Sequence, residues 1–179
     1  MAKKNKFQKK FERGFAMLVN KVMGSGLSQL ENEASGEKYD TPGMPEQVRA
    51  LAEEGIVLLK NDNDALPFKE NDNVAVFGRV QYDWFFVGYG SGGDVHPPYT
   101  VSLYEGFENA GIYYNKELKT IYENWCQDPD NQADHGYWGH WPFYYEEMPL
   151  DEAIVTDAAK KSNIAMVILG RAAGEDRGR

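Results

Sequence analysis

The chain has 179 residues, a formal net charge of -9, one cysteine, and hydrophobic and aromatic fractions of 42% and 13%. Those values exclude wholesale disorder, an internal disulfide framework or multi-thiolate zinc site, and a (β/α)8 barrel, which needs about 250 residues. No apolar run approaches the roughly 18–20 residues of a membrane-spanning helix, and the acidic balance argues against a general nucleic-acid partner.

The charge is unevenly spread. Residues 1–22 carry Lys3, Lys4, Lys6, Lys9, Lys10, Arg13 and Lys21 against Glu12 alone, a segment of +6 ahead of a remainder of -15. Phe7, Phe11, Phe15, Leu18 and Val22 recur at helical steps, so residues 1–23 are predicted to form a basic amphipathic helix. Two readings of it stand. It docks on the parent protein with its basic face in solvent, the reading its short apolar face favours, or residues 3–22 make a weak contact with an acidic surface or an anionic membrane. Asn20 and Lys21 interrupt the apolar stretch and no small-residue cleavage pattern follows, so a secretory signal is not predicted. With the lone cysteine, this points to a cytoplasmic location. Residues 24–45, rich in Gly, Ser and acids without a period, read as a linker.

Residues 46–179 then alternate helix and strand. Pro45 opens a helix whose face holds Val48, Leu51, Ala52, Ile56 and Leu59, with Gly55 inside it at a point of close packing. After an Asn/Asp-rich turn at 61–64, the run 73–78 (NVAVFG) has the pattern of a buried parallel strand. Val101, Leu103, Tyr104, Phe107 and Ala110 fit a helix ended by Gly111. Residues 112–114 are a short strand, and Leu118, Ile121, Tyr122 and Trp125 a further helical stripe. Asp151 caps a helix through Ile154 and Ala158, and residues 163–170 (NIAMVILG) are a second buried strand. This order predicts an α/β layered sandwich with a mainly parallel sheet. Ligands of such sheets bind beyond the carboxyl ends of the strands, which directs attention to the loops 79–99, 128–149 and 171–179.

The first loop contains Gly88-Tyr89-Gly90-Ser91-Gly92-Gly93, which satisfies G-x-G-x-x-G in letters. A dinucleotide site requires those glycines to leave a strand directly and open a helix. Here the glycines stand well past Gly78, and Asp94-Val95-His96-Pro97-Pro98 blocks a helix start. No G-K-[ST] follows, so a P-loop is excluded. The loop reads as a flexible surface segment, or as a backbone wall that approaches a polar ligand closely. Tyr82, Trp84, Phe85, Phe86 and Tyr89 beside it offer aromatic faces suited to sugar rings. His96, His135 and His140 show no metal-ligand spacing, and Cys126, on a helical stripe beside Trp125, reads as a small core residue.

The stretch Leu51 to Asp62 (LAEEGIVLLKND), then Ala65-Leu66-Pro67, then 74–78 (VAVFG) and Gly90-Ser91-Gly92-Gly93 resembles the α/β sandwich domain of glycoside hydrolase family 3. Gly78-Arg79-Val80-Gln81, Glu147-Met148-Pro149-Leu150 and 168–176 (ILGRAAGED) are similar to its circularly permuted β-glucosidases, in which the sandwich precedes the barrel. The resemblance implies a retaining mechanism, with a barrel aspartate as nucleophile and a sandwich glutamate as general acid/base. Carried over by motif, Glu175 takes the acid/base role and Asp176 orients the loop. Arg171 either bonds a sugar hydroxyl or caps the strand end, and Gly90, Ser91, Gly92, Gly93 and Asp94 line the sugar. Trp138, Trp141, Phe143 and Tyr144 either shape the mouth of the site or pack between domains. The implied substrate is a β-linked glucoside or related oligosaccharide, the implied partner is the missing (β/α)8 barrel, and no metal or cofactor is required. Because the chain stops just after this loop, it reads as the N-terminal part of a longer protein, inactive by itself. A noncatalytic carbohydrate-binding module and a nucleotide-binding α/β domain remain as alternatives.

Overall fold

A computed structural model describes residues 5–33, 41–85, 99–134 and 142–171. The chain divides into two units, Met1–Asn20 with Glu70–Arg179, and Lys21–Lys69.

The first unit is built on a parallel sheet. β1 (Asn73–Phe77) lies between β2 (Tyr113–Tyr114) and β3 (Ile164–Val167). Asn73 and Val74 pair with Tyr113 and Tyr114 on one side, and Val74 to Phe77 pair with Ile164 to Val167 on the other. The Ile168 N–H extends the second ladder by donating to Phe77 O at 2.9 Å. The central strand carries the run VAV because both its faces are covered. On one face Ala75 packs with Leu118, Tyr122, Met148 and Ala158, and Phe77, Trp125 and Ile154 close round this core. Apart from Ala75 and Phe77 of β1, these residues come from α4 (Lys116–Gln127), α5 (Glu152–Lys161) and the segment between them. By strand alternation Val74 and Val76 turn to the opposite face. α3 (Leu103–Ala110) packs against β2, where Tyr104, Phe107 and Tyr114 form an aromatic cluster with centroids 4.6–6.2 Å apart.

Each of these helices starts on a side chain that satisfies a free backbone N–H. Asn115 Oδ1 accepts from Leu118 N at 3.0 Å and Asp151 Oδ1 from Ile154 N at 2.8 Å. At α3, Ser102 Oγ accepts from Glu105 N while Glu105 Oε2 accepts from Ser102 N, a full capping box. The Ser102 N–H, then its hydroxyl, hold the Glu105 carboxyl below its ordinary range. Its contribution to stability is therefore present above the unfolded-state value and is lost as pH falls through the folded one. Ser102→Ala is expected to cost about 1 kcal/mol in urea unfolding at neutral pH.

An asparagine cluster closes the amino end of the sheet. Asn73 N donates to Asn163 Oδ1 at 2.7 Å and Asn73 Nδ2 to Lys161 O at 2.6 Å. Asn163 Nδ2 reaches Asp72 Oδ1 at 2.8 Å, and Asn115 Nδ2 reaches Ser162 Oγ at 3.1 Å.

Four expectations are modified. The first helix runs Lys6–Glu33, so it takes in residues 24–33 of the segment read as a linker. Leu27, Gln29, Leu30, Glu31 and Glu33 are strong helix formers that outweigh Gly24, Ser25 and Gly26. This helix, α1, also reverses the docked reading, because Lys9 and Arg13 face the sandwich while Phe7, Phe11 and Leu18 are exposed. In the second unit, α2 (Met44–Gly55) stops at Gly55, and the chain continues extended with Ile56, Val57, Leu58 and Leu59 all exposed. The β-branched pair Ile56-Val57 prefers that conformation, and a Cβ at Gly55 would meet nothing within 4 Å, so no close packing occurs there. Finally, β3 is half covered rather than buried: Ala165 and Val167 are exposed, as is Leu169 beyond the strand. The turn after α2 forms as expected, with Asn61 bridging both Leu66 N and Leu66 O across it, at 3.0 and 2.8 Å.

Candidate functional site

The sequence places chemistry at the carboxyl ends of the strands, and the described parts of three loops meet there. Their junction is Arg79, the second residue after β1 and only 2% exposed. Its Nε bonds Asp83 Oδ2 at 2.7 Å, its Nη1 bonds Glu146 O at 2.9 Å, and its Nη2 bonds Asn131 O. The guanidinium carbon stands 5.0 Å from the Trp125 ring centroid and 5.8 Å from that of Tyr145. Its own backbone N–H donates to Glu147 Oε2 at 2.7 Å. One side chain thus joins the loop after β1, the end of α4 and the segment leading to α5. Guanidinium suits this position because its fork of donors can reach several acceptors at once.

Gly78 makes the crossing possible. It has φ 109° and ψ 132°, and a Cβ there would collide with the carbonyl of Ile168 on the neighbouring strand exit. Its N–H donates to Tyr122 OH at 3.0 Å. Gln81 turns its amide back onto the strand, with Nε2 3.0 Å from Val76 O and 2.9 Å from Gly78 O, and its Oε1 accepts from Tyr104 OH. Gly170 passes directly over Val80 and Phe85, where a side chain would clash. Phe85 in turn stacks on Tyr145, with centroids 4.7 Å apart and planes 21° from parallel.

The next residue, Arg171, lies on this same rim. Its guanidinium carbon is 5.1 Å from the centroid of Tyr144, and both side chains are exposed. Of the candidate sugar contacts, Arg171 is therefore placed at the strand ends beside one of the proposed aromatic residues. Phe143 is exposed next to Tyr144. Glu175, Asp176, Gly90, Ser91, Gly92, Gly93, Asp94, Phe86, Tyr89, Trp138, Trp141 and the three histidines lie outside the described residues.

A cavity of about 160 Å3 lies to one side, between Gln81, Tyr104, Lys119, Tyr122 and Glu123. It is small beside the roughly 300–1,000 Å3 of typical ligand pockets. Burial raises the Tyr104 and Tyr122 hydroxyls above their ordinary range, and burial with the Glu108 hydrogen bond pushes Tyr114 up to about 12. These phenols stay neutral near pH 7 and hold the fold, Tyr104 and Tyr114 by donating to Gln81 and Glu108 and Tyr122 by accepting from the Gly78 N–H. Burial likewise pushes the Cys126 thiol up to about 11, which places Cys126 in the core and not in nucleophilic chemistry. Among the described residues, no group of three or more His, Cys, Asp or Glu is arranged to hold a metal ion.

Sequence reasoning noted Gly78-Arg79-Val80-Gln81 but missed what Arg79 does. The signal that could have found it is a charged residue directly after an apolar strand and its closing glycine, with an acid four positions on.

The sequence matches the glycosyl hydrolase family 3 C-terminal domain over residues 56–179. It is 37% identical over 140 residues to a β-glucosidase of Ruminococcus albus, covering 78% of this chain and 15% of that protein. It is 36% identical over 125 residues to β-glucosidase A of Butyrivibrio fibrisolvens, covering 68% and 14%. Among solved structures, a β-glucosidase of Paenibacillus barengoltzii superposes with a TM-score of 0.70 at 43% identity, over 76% of this chain and 15% of that one. β-Glucosidase 3B of Thermotoga neapolitana, solved in complex with α-D-glucose, gives 0.65 at 30% identity, over 84% and 21%. The chain thus spans about a seventh of the length of the two β-glucosidase sequences, 15% and 14%. With its parallel sheet and this match, the chain belongs to glycosyl hydrolase family 3 and carries the family's C-terminal domain.

Proposed function

We propose that this chain supplies the general acid/base half of a retaining β-glucosidase-type hydrolase, with Glu175 in that role and the nucleophilic aspartate on a (β/α)8 barrel that follows in the parent protein. The observation that carries the reading is the placement of exposed Tyr144 and Arg171 together at the strand ends, beside the packed Phe85–Tyr145 pair that Arg79 and Gly170 adjoin. Open α/β sheets receive ligands at those ends, and aromatic faces beside a cation suit the C–H faces and hydroxyls of a sugar. Glu175 stands four residues beyond Arg171 in the sequence.

Retention requires two carboxyl groups about 5–5.5 Å apart across the glycosidic bond. The acid protonates the departing oxygen, then as carboxylate activates the water that releases the glycosyl-enzyme. It must start protonated, which calls for a dry surround or a neighbouring negative charge. Gly90, Ser91, Gly92, Gly93 and Asp94 would form a backbone wall against a β-linked glucoside or related oligosaccharide. Two carboxylates suffice for this chemistry without a cofactor. A cytoplasmic location belongs to the same proposal, and cell fractionation tests it.

Two measurements test the reading. The pure 179-residue chain is expected to give no turnover of an aryl β-glucoside, since it would hold only half of the carboxylate pair; measurable hydrolysis would overturn the division of labour. In the protein with its barrel, Glu175→Gln is expected to slow poor leaving groups by about 10²–10⁴-fold and good ones far less. Unchanged kinetics would remove Glu175 from the role.

A further inference from the structure

We propose that α1 is a membrane-surface helix, fixed to the sandwich by its Lys9–Arg13 side and presenting a Phe7–Phe11–Leu18 stripe to an anionic lipid surface. The rotation of the helix carries the argument. Arg13 Nη1 donates to Pro129 O at 2.7 Å and to Gln132 Oε1 at 3.3 Å, and Arg13 Nη2 to Gln132 O at 3.3 Å. One turn earlier, Lys9 Nζ donates to Asp130 O at 3.2 Å and stands 3.8 Å from Glu146 Oε2. Ala16, on the same side, is partly buried. With 3.6 residues per turn, Phe7, Phe11 and Leu18 fall within about 40° of one another and roughly opposite that side. They are 78%, 67% and 59% exposed.

An amphipathic helix that served only to complete this fold would turn its apolar stripe inward. Here polar side chains make the attachment and the stripe faces out. The helix precedes residues 56–179, the part matched to the family model.

Charge selects the occupant. Lys10 is exposed on the flank between the stripe and the docked side, and the sequence adds Lys3, Lys4 and Lys6. A second copy docking stripe to stripe would bring two lysine-rich flanks together, which like-charge repulsion opposes. An anionic surface instead neutralises them. No described helix is long and apolar enough to cross a membrane. A phenylalanine and leucine stripe flanked by lysines is the composition of helices that lie in the lipid interface.

The test is co-sedimentation of the full chain with vesicles of phosphatidylcholine, and with vesicles in which about one-third of the lipid is phosphatidylglycerol. Binding to the anionic vesicles is expected to be about tenfold tighter and to weaken with added salt. Phe7→Ser with Phe11→Ser should weaken it about tenfold while leaving the far-UV circular dichroism unchanged, because both rings are exposed. Lys10→Glu should lower binding to the anionic vesicles alone. Equal or absent pelleting with the two vesicle types would overturn the proposal, as would full binding by the double serine variant. So would a concentration-dependent dimer in sedimentation velocity that the double serine variant abolishes, since it would assign the stripe to a second copy.

Discussion

Arg79→Met is expected to destabilise the protein by about 3–5 kcal/mol in urea unfolding, the scale for breaking a buried ion pair from one side. Methionine keeps most of the stem volume, so lost packing is a minor part of the effect. The dominant losses are electrostatic. Asp83, largely buried itself, is left without its cation, and the carbonyls of Asn131 and Glu146 lose their donor. Arg79→Met with Asp83→Leu separates these contributions. Removing both charges is often nearly neutral where removing one is not, so the double variant should recover the share due to stranded Asp83 and retain the cost of the two carbonyls. If the single variant costs under about 1 kcal/mol, the scale of an ordinary surface pair, Arg79 does not hold the loops together. The substitution is also expected to free the segment carrying Tyr144 and Tyr145, and hydrogen exchange of residues 142–149 would report that opening.

Gly78→Ala is expected to cost about 3 kcal/mol or more, from two sources acting together. The first is the backbone: φ 109° is a conformation that alanine adopts only under strain. The second is contact, because the new Cβ would run into the Ile168 carbonyl, and Ile168 is held by its own N–H bond to Phe77 O at 2.9 Å. Gly111→Ala is the control. Gly111 also has a positive φ, 68°, but a Cβ there meets nothing within 4 Å. It should therefore cost only about 1 kcal/mol, the conformational part. Equal losses at the two glycines would show that the close approach of the β1 and β3 exits contributes nothing.

Both effects concern residues whose importance is invisible to periodicity. The strand at 73–77, the capped helices at 103–110 and 152–161 and the parallel order were legible because each rests on local rules. An apolar run bounded by glycine makes a buried strand, Asp151 caps a helix, and Gly111 ends one in the left-handed conformation. The end of α2 was misread because Ile56 and Leu59 continue the helical spacing in letters, while Gly55 and the β-branched pair after it favour an extended chain. Of the candidate site, the sequence indicated three loops at the strand ends, and the described parts of these meet there. The sequence leaves Arg171 as either a sugar-hydroxyl contact or a strand-end cap, and its pairing with Tyr144 depends on a segment 27 positions away in the sequence.

The amino-acid sequence by itself determined the fold class, the family and the basic stripe-bearing helix, because motif order and helical spacing are carried by neighbouring residues. The tertiary structure alone decided which way that helix turns and what Arg79 does. Both depend on acceptors supplied by distant parts of the chain, the carbonyls of Pro129, Asp130, Asn131 and Glu146. A carbonyl is present at every residue and carries no sequence signal, so only folding reveals which ones a cation will find.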